Sequence, residues 1–464
     1  MLKRLLILFF IISIYQVAFA QSIYKKFTPQ QMQEDLDTMV KFLEDTHPNP
    51  YYRYSKAQFH KDVQSVKNNI HQDLTLLDFY FLAEQLLAKL DDGHTDFHIV
   101  EDYDEINPIV LPYTFKLSDK APYLICQGPY ASFKTKIPRD AAIISINDIP
   151  AQKIVNDVIN LNTGENRAFR ADYGSSRFYF YLEALYKANG TYKIKYAHQS
   201  TTKTVTVKGV RQQDVEKGKT TSSVNTVNNY SLTILDKEKT AIIAFKNFDW
   251  EGYTTFADSA FTLIKQKGIQ HLVINLIDNG GGDSDVGDDL LQYLLNQPFK
   301  QYEKVYVKNS ILLKERLKVH RKDKPLDSAD LAILNKPNGI IDTIQYADIP
   351  IKPNSLRFDG DVYLLVNLQT YSSAADFAQC FKHYHRGMII GEETGGLIKS
   401  YGDIVPVQLP HTRLDMTISS ALYDNIGAEE NDWHGVVPDI AVPANRALQQ
   451  TMDIIRRKGN TSSY

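Results

Sequence analysis

Between Thr28 and Leu90 the apolar positions recur at three- and four-residue steps, as in Met32, Leu36, Met39, Val40 and Leu43, and that spacing predicts helices. The first run breaks at His47-Pro48-Asn49-Pro50; a second spans about Ser55 to Ile70 and a third about Leu74 to Leu90. Residues 22–100 are therefore expected to form an N-terminal helical domain. From Pro108 to Val210 the pattern shortens to β-type runs, Ala141 to Ile146, Tyr192 to Tyr196 and Lys203 to Val207, with a turn at Asn147-Asp148-Ile149-Pro150 leading to a helix from Ala151. Residues 105–210 read as a compact β-rich module, and 211–227, rich in Gln, Lys, Ser and Thr, as a solvated linker.

Strands and helices then alternate over 228–445. Strands are expected at Thr240 to Phe245, His271 to Ile277, Val362 to Val366 and Met388 to Ile390, helices at Thr255 to Lys267, Val286 to Leu295 and Ala374 to Tyr384, and a closing strand at Ile440 to Val442. That order predicts an α/β layered domain, followed by a tail at 446–464. Phe299 to Phe358, charged and Pro-containing, interrupts the rhythm as an excursion bordering a cleft.

Composition narrows the function classes. In 464 residues, 52 Lys and Arg stand against 55 Asp and Glu, and 43% of positions are hydrophobic, which excludes a disordered or collagen-like chain. A formal charge of −3 leaves no basic excess for a phosphate backbone, so nucleic acid is not an expected partner. Lys3 and Arg4, the apolar run Leu5 to Ile14 and Ala18-Phe19-Ala20 form the pattern of a secretory signal peptide over 1–20. The run is too short to span a bilayer, and no later segment is apolar enough, so an exported, periplasmic or secreted protein without stable membrane insertion is expected. Cys126 and Cys380 are read as two small buried hydrophobes.

Candidate chemistry collects at two strand-to-helix junctions. One β run ends in Asp278-Asn279-Gly280-Gly281-Gly282, the other in Asn367-Leu368-Gln369-Thr370-Tyr371-Ser372-Ser373. Helix N-termini offer unpaired N–H groups, so a hydroxyl at one junction and a glycine loop at its neighbour place a nucleophile beside anion-stabilising donors, here Ala374 and Gly280 or Gly281. The same serines could equally cap a helix. A phosphate loop does not fit: no Lys-Ser/Thr follows, and Asp283, Asp285, Asp288 and Asp289 crowd the next turn. His94, in Leu90-Asp91-Asp92-Gly93-His94-Thr95, sits where helical sequence gives way to β-type sequence. His94 and His98 are not on a helix and lack a zinc-peptidase Glu, so neither a metal nor another cofactor is expected. Glu429-Glu430-Asn431-Asp432 adds carboxylates ahead of the closing strand.

In this order the segments resemble the C-terminal processing (tail-specific) serine peptidases and their tricorn-core relatives. The resemblance rests on Asp92-Gly93-His94-Thr95, Asn275-Leu276-Ile277-Asp278-Asn279-Gly280-Gly281-Gly282, Thr370-Tyr371-Ser372-Ser373-Ala374-Ala375-Asp376, Gly391-Glu392-Glu393-Thr394-Gly395-Gly396 and Gly435-Val436-Val437-Pro438-Asp439. It implies a ClpP/crotonase-like catalytic core, a PDZ-like module at 105–210 and a peptide or protein substrate. It also implies Ser373 as nucleophile, His94 as general base, and Asp432 or Glu430 as the acid that orients the imidazole. Leu397 fills the place of the tail-specific Lys, and Lys399, two residues on, is the alternative base. Asp432 stands where tricorn-type members have Glu, Gly93 where they have Ser, and Ile277 where an Arg is usual. A catalytically inactive peptide- or lipid-binding protein on the same fold is the alternative function. Oligomeric state is not readable.

Overall fold

The computed structural model describes residues 23–461 apart from 131–132, 135, 216–228, 322–324 and 327. The expected signal peptide and most of the expected linker lie outside the described residues. The described residues form a mixed α/β fold with three larger sheets. Helix Pro29–Thr46 starts on a capping box, in which the Thr28 hydroxyl accepts from the Gln31 amide and the Gln31 side chain accepts from the Thr28 amide. Its stripe of Met32, Leu36, Met39 and Leu43 is wholly buried. Each such side chain contributes about 1.5–3 kcal/mol by leaving water. Helices Lys56–Asn69 and Leu76–Leu87 follow, as the three apolar runs predict. Asp35, on the buried face, is held by the amides of His411 and Thr412 and the Thr412 hydroxyl, tying this helix to a hairpin nearly four hundred residues away.

The β-rich segment builds a sheet in the order 201–208, 191–198, 142–146, 124–129, 113–117, with helices Ala151–Ile159 and Arg167–Ser176 beside it. The sheet of the C-terminal half runs 230–235, 240–245, 271–275, 361–366, 388–391, 440–441. Its first pair is antiparallel and the rest are parallel. Parallel neighbours need crossovers, and helices Tyr253–Gln266 and Ser373–His383 follow strands of this sheet. Strands His271–Asn275 and Asp361–Val366 are adjacent, so the two candidate junctions emerge side by side at their carboxyl ends, where open α/β sheets bind ligands.

The excursion is more ordered than its composition suggests. Strands Tyr302–Lys308 and Ile341–Gln345 join a further sheet with the long strands Lys399–Gln408 and Asp415–Asn425. The short strand Asp96–His98 adds to Asp415–Thr417. The turn carrying His94 is thereby pinned between the helical segment and the last half of the chain. Among the described residues no helix is long and apolar enough to cross a membrane.

Candidate active site

Asp92 organises the first half of the site. It is 1% exposed and its oxygens are fully engaged: Oδ1 accepts the His94 amide at 2.9 Å, and Oδ2 accepts the Thr95 hydroxyl at 2.5 Å, the Ser419 hydroxyl at 2.7 Å and His47 Nε2 at 3.1 Å. His47 Nδ1 accepts the Asn49 amide, which assigns its proton to Nε2 and makes it the donor to Asp92. Burial opposes the charge on Asp92, but these donors and the nearby imidazoles hold its carboxyl well below the usual range. The result is a rigid Asx turn that aims the His94 ring into a cavity.

Across that cavity, His94 Nε2 lies 3.1 Å from Ser372 Oγ. Ser372 precedes helix Ser373–His383, and its carbonyl accepts the Ala375 and Asp376 amides, but its hydroxyl makes no capping bond. Its backbone is at φ 50°, ψ −134°, a region that side-chain-bearing residues seldom adopt. This sharp strand-to-helix turn points one hydroxyl outward. The next residue turns the other way: Ser373 is 3% exposed and donates to the Gly282 carbonyl at 3.1 Å. The expectation that Ser373 faces the imidazole is thus corrected to Ser372, because a single positive-φ residue reverses which of two adjacent serines looks into the cavity.

The glycine loop abuts this turn. The Tyr371 amide donates to the Asn279 carbonyl, and Gly281, at φ +104°, packs so closely that an added Cβ would lie 2.8 Å from Ser372 Cβ. Two of the expected anion donors are already committed: Ala374 N–H to the Tyr371 carbonyl and Gly281 N–H to Asn279 Oδ1. The amides of Gly280 and Ser373 have no acceptor among the described residues, and Gly280 lines the cavity. That cavity is about 580 Å³ and also takes in Phe169, Tyr173 and Arg316. The Arg316 guanidinium is clamped bidentately on Asp403 at 2.7 and 3.1 Å.

The other expected site residues stand elsewhere. Asp432 accepts the Glu429 amide and lies 3.4 Å from His434, while Glu430 is exposed; neither makes an ion pair or hydrogen bond with His94. The physical reason is that the segment folds on itself through the Glu429–Asp432 turn. Lys399 pairs with Asp424 at 2.9 Å and lies over the Trp433 ring. The acids near His94 are instead Asp92, 3.9 Å from Nδ1, and Glu165, which sequence reasoning missed. The donor atoms of Asp92, His94 and Glu165 lie within 4.8 Å of one another, but the Asp92 oxygens and His94 Nε2 already have partners, so the cluster is suited to sharing protons. Tyr371, also missed, stacks on His94 with ring centroids 5.0 Å apart and continues into Phe169 at 4.6 Å. Burial lowers the His94 pKa from its ordinary value, against the pull of Asp92 and the Tyr401 carbonyl, and favours a neutral base.

Residues 239–442 match the family model of peptidase family S41. The match takes in under half of the chain and supports a serine-type peptidase, a hydrolase; the matched family implies peptide or protein substrates. Its fold is similar to that of mature CPAF, with a TM-score of 0.58 at 14% identity over 90% of this chain and 94% of that chain. Mature CPAF complexed with lactacystin gives 0.59 at 14% identity, covering 92% and 97%. The photosystem II D1 C-terminal processing protease gives 0.45 at 15% identity, covering 89% and 93%. At 14% identity the likeness to the two CPAF structures is one of fold alone.

Proposed function

We propose that this S41 peptidase cleaves peptide bonds with Ser372 as nucleophile and His94 as general base. The carrying observation is the 3.1 Å approach of His94 Nε2 to a Ser372 hydroxyl held on a positive-φ turn. His94 removes the hydroxyl proton as Oγ attacks the carbonyl carbon, then delivers that proton to the leaving amine. Negative charge builds on the former carbonyl oxygen, and the Ser373 and Gly280 amides, which have no acceptor among the described residues, are assigned to receive it. Water, activated by the same imidazole, releases the acyl group. The Ser372–His94 approach favours catalysis over the inactive binding protein, and the Lys399–Asp424 ion pair speaks against Lys399 as base.

The reading extends to the rest of the chain: an exported enzyme cut after residue 20, with a helical domain at 22–100, a PDZ-like module at 105–210 and a ClpP/crotonase-like core at 228–445. Fluorophosphonate labelling read by intact mass tests the chemistry. Wild type, Ser373→Ala and Lys399→Ala are expected to gain one adduct, and Ser372→Ala and His94→Ala none. An adduct that survives in Ser372→Ala and disappears in Ser373→Ala returns the nucleophile to Ser373.

A further inference from the structure

The proposed reaction leaves one buried acid without a task. Glu165, 4% exposed, sits between helices Ala151–Ile159 and Arg167–Ser176, in the segment that precedes the S41 match. Its Oε1 accepts the Tyr371 hydroxyl at 2.6 Å and the Gly93 amide at 3.4 Å, while Oε2 has no hydrogen-bond partner among the described residues. An ionisable group buried with its hydrogen bonds this incomplete destabilises a fold that an apolar residue of similar size would not. Nearby cations do not neutralise it: Arg53 binds the Glu165 main-chain carbonyl, and Arg170 binds the Gly164 carbonyl and Asp91. What its carboxylate faces is Tyr371, and behind Tyr371 is His94, with Tyr371 Oη 3.5 Å from Nδ1.

We propose that Glu165, acting through the Tyr371 hydroxyl, is the positioning acid of His94. The proposal rests on the Ser372–His94 reading. Tyr371 donates to Glu165, so its oxygen is left to accept from His94 Nδ1–H, a proton that the Tyr401 carbonyl also draws. Nε2 then presents a lone pair to Ser372, and the chain Ser372, His94, Tyr371, Glu165 donates in one direction throughout. When Nε2 takes the serine proton, the imidazolium gains a carboxylate beyond one phenol. Tyr371 keeps its own proton, because burial and the neighbouring acids raise its pKa far above the usual value. Asp92 does not fill this role: its Oδ1 is 3.9 Å from Nδ1 and already accepts the His94 amide. Gly93 supports the assignment sterically, since a Cβ there would lie 2.3 Å from Tyr371 Oη and expel the hydroxyl from between the two groups.

The test is the rate of fluorophosphonate labelling of Ser372 between about pH 5 and 9 in wild type, Glu165→Gln, Tyr371→Phe and the double variant, with melting temperatures alongside. Glu165→Gln keeps an acceptor for Tyr371 and removes only the charge. Tyr371→Phe keeps the stack on Phe169. Each is expected to lower the plateau rate roughly 10- to 100-fold and to move the acid limb to lower pH, because the imidazolium loses a stabilising partner. The double variant should fall no further than the worse single one. Asp92, Tyr52, Tyr401 and Arg53, the other titratable groups packed around His94 and Glu165, are unchanged in every variant. Labelling within about twofold of wild type in both single variants overturns the inference. So do losses that add in the double variant with an unmoved acid limb, which would mark Glu165 and Tyr371 as packing alone. A wild-type adduct located away from Ser372 overturns the serine–histidine reading itself, and this inference with it.

Discussion

Gly281→Ala tests how tightly the glycine loop fixes the nucleophile. The new Cβ would lie 2.8 Å from Ser372 Cβ, 2.9 Å from the Tyr371 carbonyl oxygen and 3.0 Å from the Ser373 nitrogen. Ordinary contact begins near 3.4 Å, so relief takes a movement of about 0.6 Å. Two of the three obstructing atoms are main chain, so no side-chain rotation provides that movement. Gly281 is also at φ +104°, and an L side chain there costs on the order of 1–3 kcal/mol. A misplacement of about 1 Å at reacting atoms costs on the order of a hundredfold in rate. Shifting the Ser372 turn by the required fraction of an ångström is therefore expected to slow fluorophosphonate labelling roughly 10- to 100-fold. Gly287→Ala is the matched control: it lies inside helix Ser284–Gln292, and its nearest neighbours are at 3.4 Å. Alanine there favours the helix by up to about 1 kcal/mol and should leave labelling within about twofold of wild type. Wild-type labelling and wild-type melting in Gly281→Ala would refute the reasoning, because the loop would then not be in contact with the nucleophile turn.

Four further outcomes are expected. Burial, with the Asp92 charge, pushes Glu165 up to about 7, so the acid limb of the labelling rate should contain two coupled ionisations, Glu165 and His94. It should fall more steeply below about pH 7 than a single-proton curve; a single-proton slope speaks against the coupling. Glu84 is wholly buried, its Oε1 has no hydrogen-bond donor within reach among the described residues, and burial and Asp96 raise its pKa well above 4.5. Because the folded state prefers the protonated form, this stability is present below the unfolded pKa and is lost as pH rises through the folded one. Glu84→Gln should consequently raise the melting temperature more at about pH 8 than at about pH 5, and an equal change at both would contradict the shift. Asp35→Ala leaves three donors of His411 and Thr412 without an acceptor and is expected to cost about 3–5 kcal/mol in chemical denaturation. Finally, Cys126 and Cys380 are free and buried in separate cores. A thiol reagent should therefore titrate neither in the native protein and both after denaturation; recovery of both thiols only after reduction would reveal a disulfide.

What the sequence made legible follows from how locally each feature is encoded. The helix stripe Met32, Leu36, Met39, Leu43 and the parallel core strands appear within a residue or two of expectation, because apolar periodicity is a property of a few consecutive positions. The long strands Lys399–Gln408 and Asp415–Asn425 escaped notice, since Gly402, Pro406 and consecutive buried Ile418, Ser419, Ser420 and Ala421 blur their alternation. Both junctions were legible as glycine loop and serine-bearing turn, but the choice between Ser372 and Ser373 turns on one backbone angle, which residue identity does not encode. Glu165 was illegible for a different reason. It belongs to no motif near His94 or Ser372 and reaches them only because Gly164, at φ +140°, and the Asn166 cap bend the chain ahead of helix Arg167–Ser176. The available signal was the polar Asn162-Thr163-Gly164-Glu165, all four buried, between two amphipathic helices. A loop that polar is ordinarily solvated, and one that packs inward instead brings its carboxylate to a place where only tertiary structure could reveal a partner.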